Sequence, residues 1–381
     1  MQRLILQNVM ALGVLASSSA MAQQALSGDP RGTLWQPPGP VWQAYAEISA
    51  WAAYDAIPVE KFGGKWGEGY APRAGRNVFL QRERASVGVE KDGWRVGLEY
   101  RQEGSLDASR DTVDFYHLYQ QRQRPDGARA FNLDAQFKSW SATGVRVAKT
   151  FSFDQAGVNG LLVTVSGALY GTTRNRDTDV GGTASYQTSG TYGFDAHLLE
   201  SNTRYRYPFM PDTSRTSSGA SLSLALQMPL NERFSVNLAV DDLWSRLRWS
   251  NLPLVQKNIS SSFIGTDSNG YVNYQPLLSG QNTLISKTGA IGASQSASLS
   301  YHDDQWRFKL GADRVAATTI PSASVTWQSA VGAFTAGYET RFGTVGLGYG
   351  DGPFYVQVRA NRWSLSQATS LGASAGFQTT F

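Results

Sequence analysis

The amino-acid sequence predicts an all-β fold, a transmembrane antiparallel up-and-down β-barrel of about 16 strands within a range of roughly 12 to 18. Period-two alternation of apolar and polar residues recurs along most of the chain, which is typical of half-buried strands. Charged residues make up 17% of the 381 residues, and 39 Gly, 11 Trp, 17 Tyr and 17 Phe are present. After the first residues, no stretch approaches the ~18 apolar residues of a membrane-spanning helix, so we expect strands to cross the membrane.

The N-terminus has the order of features that defines a secretory signal peptide. Arg3 precedes a short apolar run from Leu4 to Ala16, broken only by Gln7 and Asn8, and Ala20-Met21-Ala22 supplies a small-x-small cleavage site. We therefore expect a signal peptide at 1–22. Residues 23–40 contain several prolines among polar residues and predict an extended periplasmic tail, which leaves 41–381 for the barrel.

The clearest predicted hairpin covers residues 82–101. Ala85, Val87 and Val89 share one face of the first strand, Lys91-Asp92-Gly93 forms the turn, and the second strand continues the alternation from Trp94. Such a hairpin fits either a soluble sandwich or a lipid-facing wall. Three consecutive hairpins of the same design follow between 297 and 358.

The connections between strands alternate between short and long. Short or modest turns are predicted at 91–93, 122–130, 152–160, 229–232, 302–305, 329–332 and 350–353. Longer connections are predicted at 55–80, 102–111, 171–218 and 250–292. This segregation predicts short turns in the periplasm and long loops outside the cell, because a sandwich has no reason to collect its long loops at one end.

Aromatic side chains beside the short turns predict one interfacial girdle on the apolar face. Its members are Trp94, Phe131, Phe151, Phe234, Tyr301, Trp306, Trp327, Phe334 and Phe354. Both termini in the periplasm require an even number of strands. The predicted strands are 41–54, 82–90, 94–101, 112–121, 131–139, 142–151, 161–170, 219–228, 233–249, 293–301, 306–312, 320–328, 333–340, 343–349, 354–361 and 369–381. Three alternatives stay open: 41–54 could be an amphipathic helix, 112–121 fits either register, and 192–207 could add a hairpin.

The last strand carries a recognisable pattern. Leu371, Ala373, Ala375 and Phe377 alternate with small or polar residues, and the chain ends on Phe381. This pattern resembles the C-terminal signature of Gram-negative outer-membrane β-barrel proteins, at the level of the superfamily and of no specific family. The resemblance implies residence in the cell outer membrane, among its lipid and lipopolysaccharide. It also implies that Phe377 and Phe381 belong to a signal that the barrel-assembly machinery recognises.

The sequence argues against enzymatic, metal-binding and nucleic-acid-binding functions. There is no cysteine, which excludes disulfides, thiolate metal sites and a cysteine nucleophile. Residues 372–376 match G-x-S-x-G, but the chain ends too soon for the helix that this motif requires. The three histidines, His117, His197 and His302, are read as plain residues without a catalytic partner, and no cofactor is implied. The net charge of +4 includes no basic run that would follow nucleic acid.

The inward face of the barrel is the remaining candidate site. By alternation, ten cations and four acids point inward. The cations are Arg82, Arg84, Arg95, Arg101, Lys138, Arg146, Arg307, Lys309, Arg341 and Arg359, and the acids are Glu90, Glu99, Asp134 and Glu339. These residues predict a pore lining, unless the arginines merely pair with acids to fill a closed lumen.

The function that these observations favour is a porin-like channel for passive diffusion of small hydrophilic solutes. The excess of inward cations predicts a preference for anions. We expect the 171–218 or the 250–292 loop to fold inward as a constriction. The alternative is a non-conducting barrel that serves as a surface-binding platform or guides an exported polymer.

Overall fold

The computed structural model describes residues 40–64, 66–67, 69–155, 158–188, 192–206, 216–261, 264–266, 272–274 and 278–381. The predicted signal peptide and all but the last residue of the predicted tail lie outside the described residues. The strands are β1 (Gln43–Tyr54), β2 (Arg76–Lys91), β3 (Trp94–Ser109), β4 (Arg129–Gln155), β5 (Val158–Tyr186), β6 (Tyr192–Asn202), β7 (Ser217–Pro229), β8 (Phe234–Ser260), β9 (Ile264–Thr266), β10 (Val272–Tyr274), β11 (Leu278–Gly289), β12 (Ser294–His302), β13 (Trp306–Val315), β14 (Thr318–Ser329), β15 (Gly332–Glu339), β16 (Thr344–Asp351), β17 (Phe354–Ala360) and β18 (Ser370–Thr380). One α-helix, α1 (Arg110–Gln121), and two 3-10 turns, Val59–Lys61 and Leu365–Gln367, complete the described elements.

The strands form a closed antiparallel barrel. Within the described residues, a 16-stranded sheet contains every strand except β9 and β10, which pair with each other. Strands β6 and β11 pair only with the outer parts of β5 and β8, so 16 minus 2 leaves fourteen strands in the barrel wall. Strand β18 pairs with both β17 and β1, from Gln43↔Thr380 to Ala53↔Ser370. Closure satisfies the backbone of every wall strand without an open edge, as a lipid environment requires.

The outer face of the barrel is apolar and exposed. Leu98, Leu169 and Leu310 expose 59%, 69% and 63% of their surface, although each lies in the middle of a paired strand. Beside the short turns, aromatic rings follow one another around the wall, with Trp306 and Trp327 at 6.3 Å and Trp327 and Phe334 at 5.9 Å between centroids. An apolar band bounded by an aromatic girdle is the surface of an outer-membrane β-barrel, and we conclude that the chain spans that membrane. None of the helices in the described ranges is long and apolar enough to cross a bilayer.

The predicted count of 16 strands needs correction at two places, both in the first half of the chain. Residues 112–121 form α1 and not a strand. Its N-cap Ser109 accepts a hydrogen bond from the Thr112 backbone N–H at 3.1 Å, and its C-cap Arg122 has a left-handed φ of 54°. The predicted strands 131–139 and 142–151 are one strand, β4. The predicted loop at 102–111 is mostly the end of β3, so the 122–130 turn lies on the extracellular side.

Three strands of the first half extend well beyond the membrane. Strands β4, β5 and β8 have 27, 29 and 27 residues, whereas a tilted strand crosses a bilayer with about 9–11. Their outer parts pair with β6 and β11, so the predicted 171–218 and 250–292 loops include strands that continue the wall outward. The sequence left open a further wall hairpin at 192–207. This segment contains β6, which pairs with the outer parts of β5 and β8 and is not a strand of the membrane-spanning wall. In β5, Gly171 is a bulge, since Gly144 pairs with Tyr170 and Thr143 with Thr172.

A cap covers the outer face of the wall above the membrane. We define the cap as the described residues between 55 and 75 together with α1. Ala53 and Leu80 pack inside the barrel against Ile320, so their neighbours Tyr54 and Phe79 face outward by alternation. Cap residues, including Phe62 stacked on Phe79 at 3.7 Å, bury these two rings.

The cap also explains why Phe131 is not a girdle residue. Phe131 lies at the extracellular end of β4, where only 1% of its surface is exposed, and it contacts Phe115 of α1 at 5.4 Å between ring centroids. The prediction placed this aromatic ring at the periplasmic interface because it treated 122–130 as a short periplasmic turn. Apolar side chains on the outward face are therefore covered by lipid within the membrane and by the cap above the membrane.

Candidate functional site in the barrel lumen

Two pairs of side chains join opposite walls of the lumen. Arg101 on β3 donates from Nη1 and Nη2 to the two carboxylate oxygens of Asp242 on β8, at 2.9 and 2.7 Å. Arg84 on β2 donates to Asp241 at 3.3 Å. Strands β4, β5 and β7 lie between β3 and β8 in the wall, so these contacts cross the lumen. We call Arg84, Arg101, Asp241 and Asp242 the lumen bridge.

An irregularity in β8 makes the bridge possible. Leu222 of β7 pairs with Trp244, and Leu224 pairs with Val240, so β8 contains two more residues than β7 over this interval. Asp242 adopts a φ of +54°, which an ordinary strand residue does not. Adjacent residues of a regular strand point to opposite faces, and the bulge instead lets both carboxylates reach the lumen.

Further arginines and acids surround the bridge and balance its charge. Arg146 contacts Glu99 at 3.2 Å, and Arg101 contacts Glu103 at 2.6 Å. Arg82 reaches Glu103 at 3.4 Å and Ser294 on the far wall at 3.0 Å. With the bridge, this network comprises four arginines (82, 84, 101 and 146) and four acids (99, 103, 241 and 242). Burying charges is costly unless partners compensate them, and this arrangement supplies a partner for each charge.

The hydroxyl of Tyr170 connects the two sides of this network. It donates to Glu99 at 3.2 Å and accepts from Arg101 at 3.0 Å. Bridge and network residues are almost inaccessible: Glu99, Arg101 and Asp241 expose 1%, 0% and 1% of their surface. A wide water-filled pore would leave such lining residues exposed, so the lumen is closed at the level of the bridge.

A second cluster of charges lies on the periplasmic side of the bridge. Arg95 donates to Glu47 at 2.7 Å, approaches Glu90 at 3.6 Å, and places its guanidinium 3.7 Å from the centre of the Tyr45 ring. Gln378 on the closing strand donates to Glu90. From inside the lumen, these contacts stabilise the pairing of β18, β1 and β2, where the barrel closes.

Apolar side chains cover the bridge on the extracellular side. One cluster joins Trp51, Leu80, Ile320 and Phe342, with Trp51 and Phe342 in edge contact at 6.0 Å. A second cluster joins Tyr170 to Leu247, Trp249, Leu252 and Ile291. Above them, Arg341 binds both oxygens of Asp55 at 2.6 and 2.7 Å, which links two extracellular loops.

The predicted site residues fall in different surroundings. Inward positions are occupied by Arg82, Arg84, Arg95, Arg101, Arg307, Lys309, Arg359, Glu99 and Glu339. Lys138 is exposed in the outer part of β4, and Arg341 lies in a loop. Asp134 pairs with Arg76 above the membrane. That any of these residues lines a solute path stays a prediction, as does the role of Phe377 and Phe381 in assembly.

Five inward acids were missed from the sequence. They are Glu47, Glu103, Asp241, Asp242 and Asp313. With Lys138, Arg341 and Asp134 placed outside the lumen, the predicted and the missed residues amount to eight inward cations and eight inward acids. The pair Asp241 and Asp242 could have been recognised from the sequence. In a regular strand, one of two consecutive acids would face lipid, so the pair indicates an irregularity. Glu47 lay on a strand that was open to interpretation as a helix, and Glu103 in a segment read as loop.

In the described part of the chain, the histidines and acids form no group of three potential metal ligands. His117 stacks on Tyr70 at 3.8 Å in the cap, and burial lowers its pKa. His197 approaches Asp179 at 3.7 Å on the exposed outer sheet. His302 is the last residue of β12, at the periplasmic end of that strand.

Comparisons with known proteins find distant structural similarities. No family model matches the sequence, and no curated protein does. The fold is similar to the Pseudomonas putida toluene transporter TodX, at 12% identity, with 97% of each chain covered and a TM-score of 0.44. It is also similar to the Ralstonia pickettii toluene transporter TbuX, at 9% identity over 96% of this chain and 99% of that chain, TM-score 0.32. The translocator domain of the Neisseria meningitidis autotransporter NalP matches at 9% identity over 95% of each chain, TM-score 0.32.

Proposed function

We propose that the protein is a gated outer-membrane channel for small polar solutes, and that the lumen bridge holds it closed in this conformation. The observation that supports this proposal is the composition of the lumen. Charged, amide and hydroxyl side chains line both walls, and at the level of the bridge the contacts between opposite walls among the described residues include hydrogen bonds and ion pairs. When the two walls separate, water can form hydrogen bonds with the polar groups that are released. Water offers no such compensation to the side chains of a packed apolar core.

The balance of charge argues for weak ion selectivity. The network at the bridge contains equal numbers of arginines and acids, and Arg95 is held by Glu47 and Glu90. A pore that opened by separating β2 and β3 from β8 would expose both signs of charge to the solute. We therefore propose polar solutes without the anion preference that the sequence predicts.

Solute flux into vesicles tests this function. The full chain is reconstituted into vesicles, and their swelling is followed in solutions of an uncharged pentose, a monovalent anion and a monovalent cation. We expect uptake of all three at rates that differ by less than about tenfold, because opposite charges of the lining offset each other. Vesicles that contain the folded barrel and remain as impermeable as empty ones would contradict the channel.

A second candidate function is a non-conducting barrel that acts as a surface-binding platform. The observation that favours it is the extracellular sheet formed by the outer parts of β4, β5 and β8 with β6 and β11, beside the cap. A platform needs no solute path. Under this alternative, truncating the outer sheet would abolish binding of a surface ligand. No variant would show solute uptake in the swelling assay.

A further inference from the structure

A cleft interrupts the barrel wall where β6 and β7 separate. Strand β5 pairs with β7 as far as Tyr170↔Gly219 and with β6 only from Arg176↔Asn202. On the other side, β8 pairs with β7 up to Trp249↔Ser217 and with β6 from Leu254↔Ser201. Between these limits a cavity of about 430 Å³ opens.

The cleft is basic and rich in hydrogen-bond donors. Of the described residues that line it, three are arginines, Arg174, Arg204 and Arg206, and none is acidic. All three arginines are exposed. Glu200 of β6 is instead engaged by Arg176 at 2.8 Å and by the Tyr205 hydroxyl at 2.7 Å.

Two buried polar atoms of the lining have no hydrogen-bond partner among the described residues. These are Thr173 Oγ1 and Trp249 Nε1, in side chains that are 4% and 6% exposed. A buried donor without a partner costs free energy, so a bound acceptor would relieve both. Because the arginines lie on the same cleft, the acceptor that fits best is an anion with several oxygens, and guanidinium groups match phosphate in particular.

The position of the cleft along the membrane normal indicates which molecule carries that anion. Val163 of β5 pairs with the girdle residue Phe151, and Arg174 lies eleven residues farther along (174 − 163). At about 3.3 Å per residue and a tilt of about 40°, this places Arg174 about 28 Å above the periplasmic girdle, at the opposite membrane interface. The exposed outward residues Leu222 and Trp244 lie just below this level, and Arg246 and Arg248 extend the basic surface beside it.

We propose that this cleft binds the phosphate group of an outer-leaflet glycolipid, with Arg174, Arg204 and Arg206 as its phosphate ligands. The Thr173 hydroxyl and the Trp249 indole N–H, which line the cleft from the lumen side of the wall, complete the donor set. Apolar side chains below the cleft contact the acyl chains of the same lipid. This proposal is independent of whether the barrel conducts.

Native mass spectrometry of the full chain in detergent micelles tests the proposal. The probes are diphosphorylated lipid A and the same lipid after enzymatic removal of its phosphates. We expect the native barrel to retain the phosphorylated lipid and to bind the dephosphorylated form about a hundredfold more weakly. Equal retention of both forms would overturn the proposal without recourse to any variant.

Two matched variants locate the site. The variant R174Q/R204Q/R206Q removes three charges at the cleft, and R124Q/R233Q/R362Q removes three exposed charges elsewhere. We expect the first to lose the discrimination between the two lipids and the second to retain it, with heat-modifiable gel mobility confirming that both are folded. Retention of discrimination in the first variant would overturn the assignment. Displacement of the lipid by millimolar inorganic phosphate would also overturn it, since the ligand would then be the free ion.

Discussion

The two halves of the barrel wall are built differently. The first half, β1 to β5 with β7 and β8, has strands of up to 29 residues, and the second half, β12 to β18, has none longer than 12. The first half supplies all four residues of the lumen bridge, the cap and the outer sheet. In the second half, inward contacts include a neutral pair of hydroxyls, Thr326 and Thr335, at 2.8 Å. The comparison indicates that the short half is little more than a membrane-spanning wall, and that the long half adds the lumen bridge, the cap and the outer sheet.

Breaking the bridge should have the largest effect on stability. We expect Asp242→Asn to lower the free energy of unfolding by about 3–5 kcal/mol, because it breaks a fully buried ion pair of Arg101 and unbalances the network of four arginines and four acids. The matched change in the second half, Thr335→Ala, should cost only about 1 kcal/mol, the value of a neutral hydrogen bond. Urea unfolding of the barrel in lipid vesicles, followed by tryptophan fluorescence, measures both.

The double variant Arg101→Met, Asp242→Leu serves as the control for the bridge. Replacing both charges by apolar groups of similar size should recover most of the loss, since no unpaired charge remains. If Asp242→Asn and Thr335→Ala were equally mild, the two halves would not differ in the way proposed.

The cap should respond to a change that leaves the wall intact. Phe115 of α1 contacts Phe131 at 5.4 Å and Phe194 at 6.1 Å. We expect Phe115→Ala to reduce the local stability of the cap by about 3 kcal/mol and to make α1 sensitive to protease. On the same helix, Tyr119 is 69% exposed, so Tyr119→Ala should have no effect. Equal protection of α1 in both variants would show that the cap does not depend on this packing.

A smaller effect should appear as a pH dependence of the cap alone. Burial against Tyr70 lowers the pKa of His117 below its ordinary value of 6.5, and Asp114, which accepts hydrogen bonds from Tyr70 and Arg129, opposes this shift. A folded pKa below the unfolded one means that the unfolded cap binds more protons, so stability is complete above the unfolded pKa and declines as the pH falls below it. The protection factors of the α1 amides, which correct for the intrinsic pH dependence of exchange, should decrease on acidification below about pH 6.5. His117→Gln should remove this response, whereas His302→Gln should retain it.

The second half was predictable from the sequence almost strand by strand. The predicted strand 306–312 corresponds to β13 (Trp306–Val315), and 354–361 corresponds to β17 (Phe354–Ala360). Each such strand has lipid on one face and the lumen on the other along nearly its whole length, so strict alternation suffices to find it. The first half differs because its strands continue into water and under the cap, where either face can be polar.

The prediction of the site was incomplete for a related reason, namely that it relied on regular alternation. Alternation placed Arg84 and Arg101 on the inward face, but it could not place their partners, because the bulge at Asp241 and Asp242 suspends the alternation. Contacts across the lumen also depend on which walls face each other. That relation follows from the closure of fourteen strands rather than sixteen.

Single-channel recording tests the central claim most directly. The full chain is compared in planar bilayers with the variant R84Q/R101Q/D241N/D242N, which removes two charges of each sign, and with Thr326→Ala, Thr335→Ala as the second-half control. We expect rare, brief openings for the native barrel and for the control, and openings at least about tenfold longer for the bridge variant, since a loss of roughly 1.4 kcal/mol from the closed state suffices for that change. Identical currents from the native barrel and the bridge variant, or silence from both with folded insertion confirmed, would contradict closure by the lumen bridge.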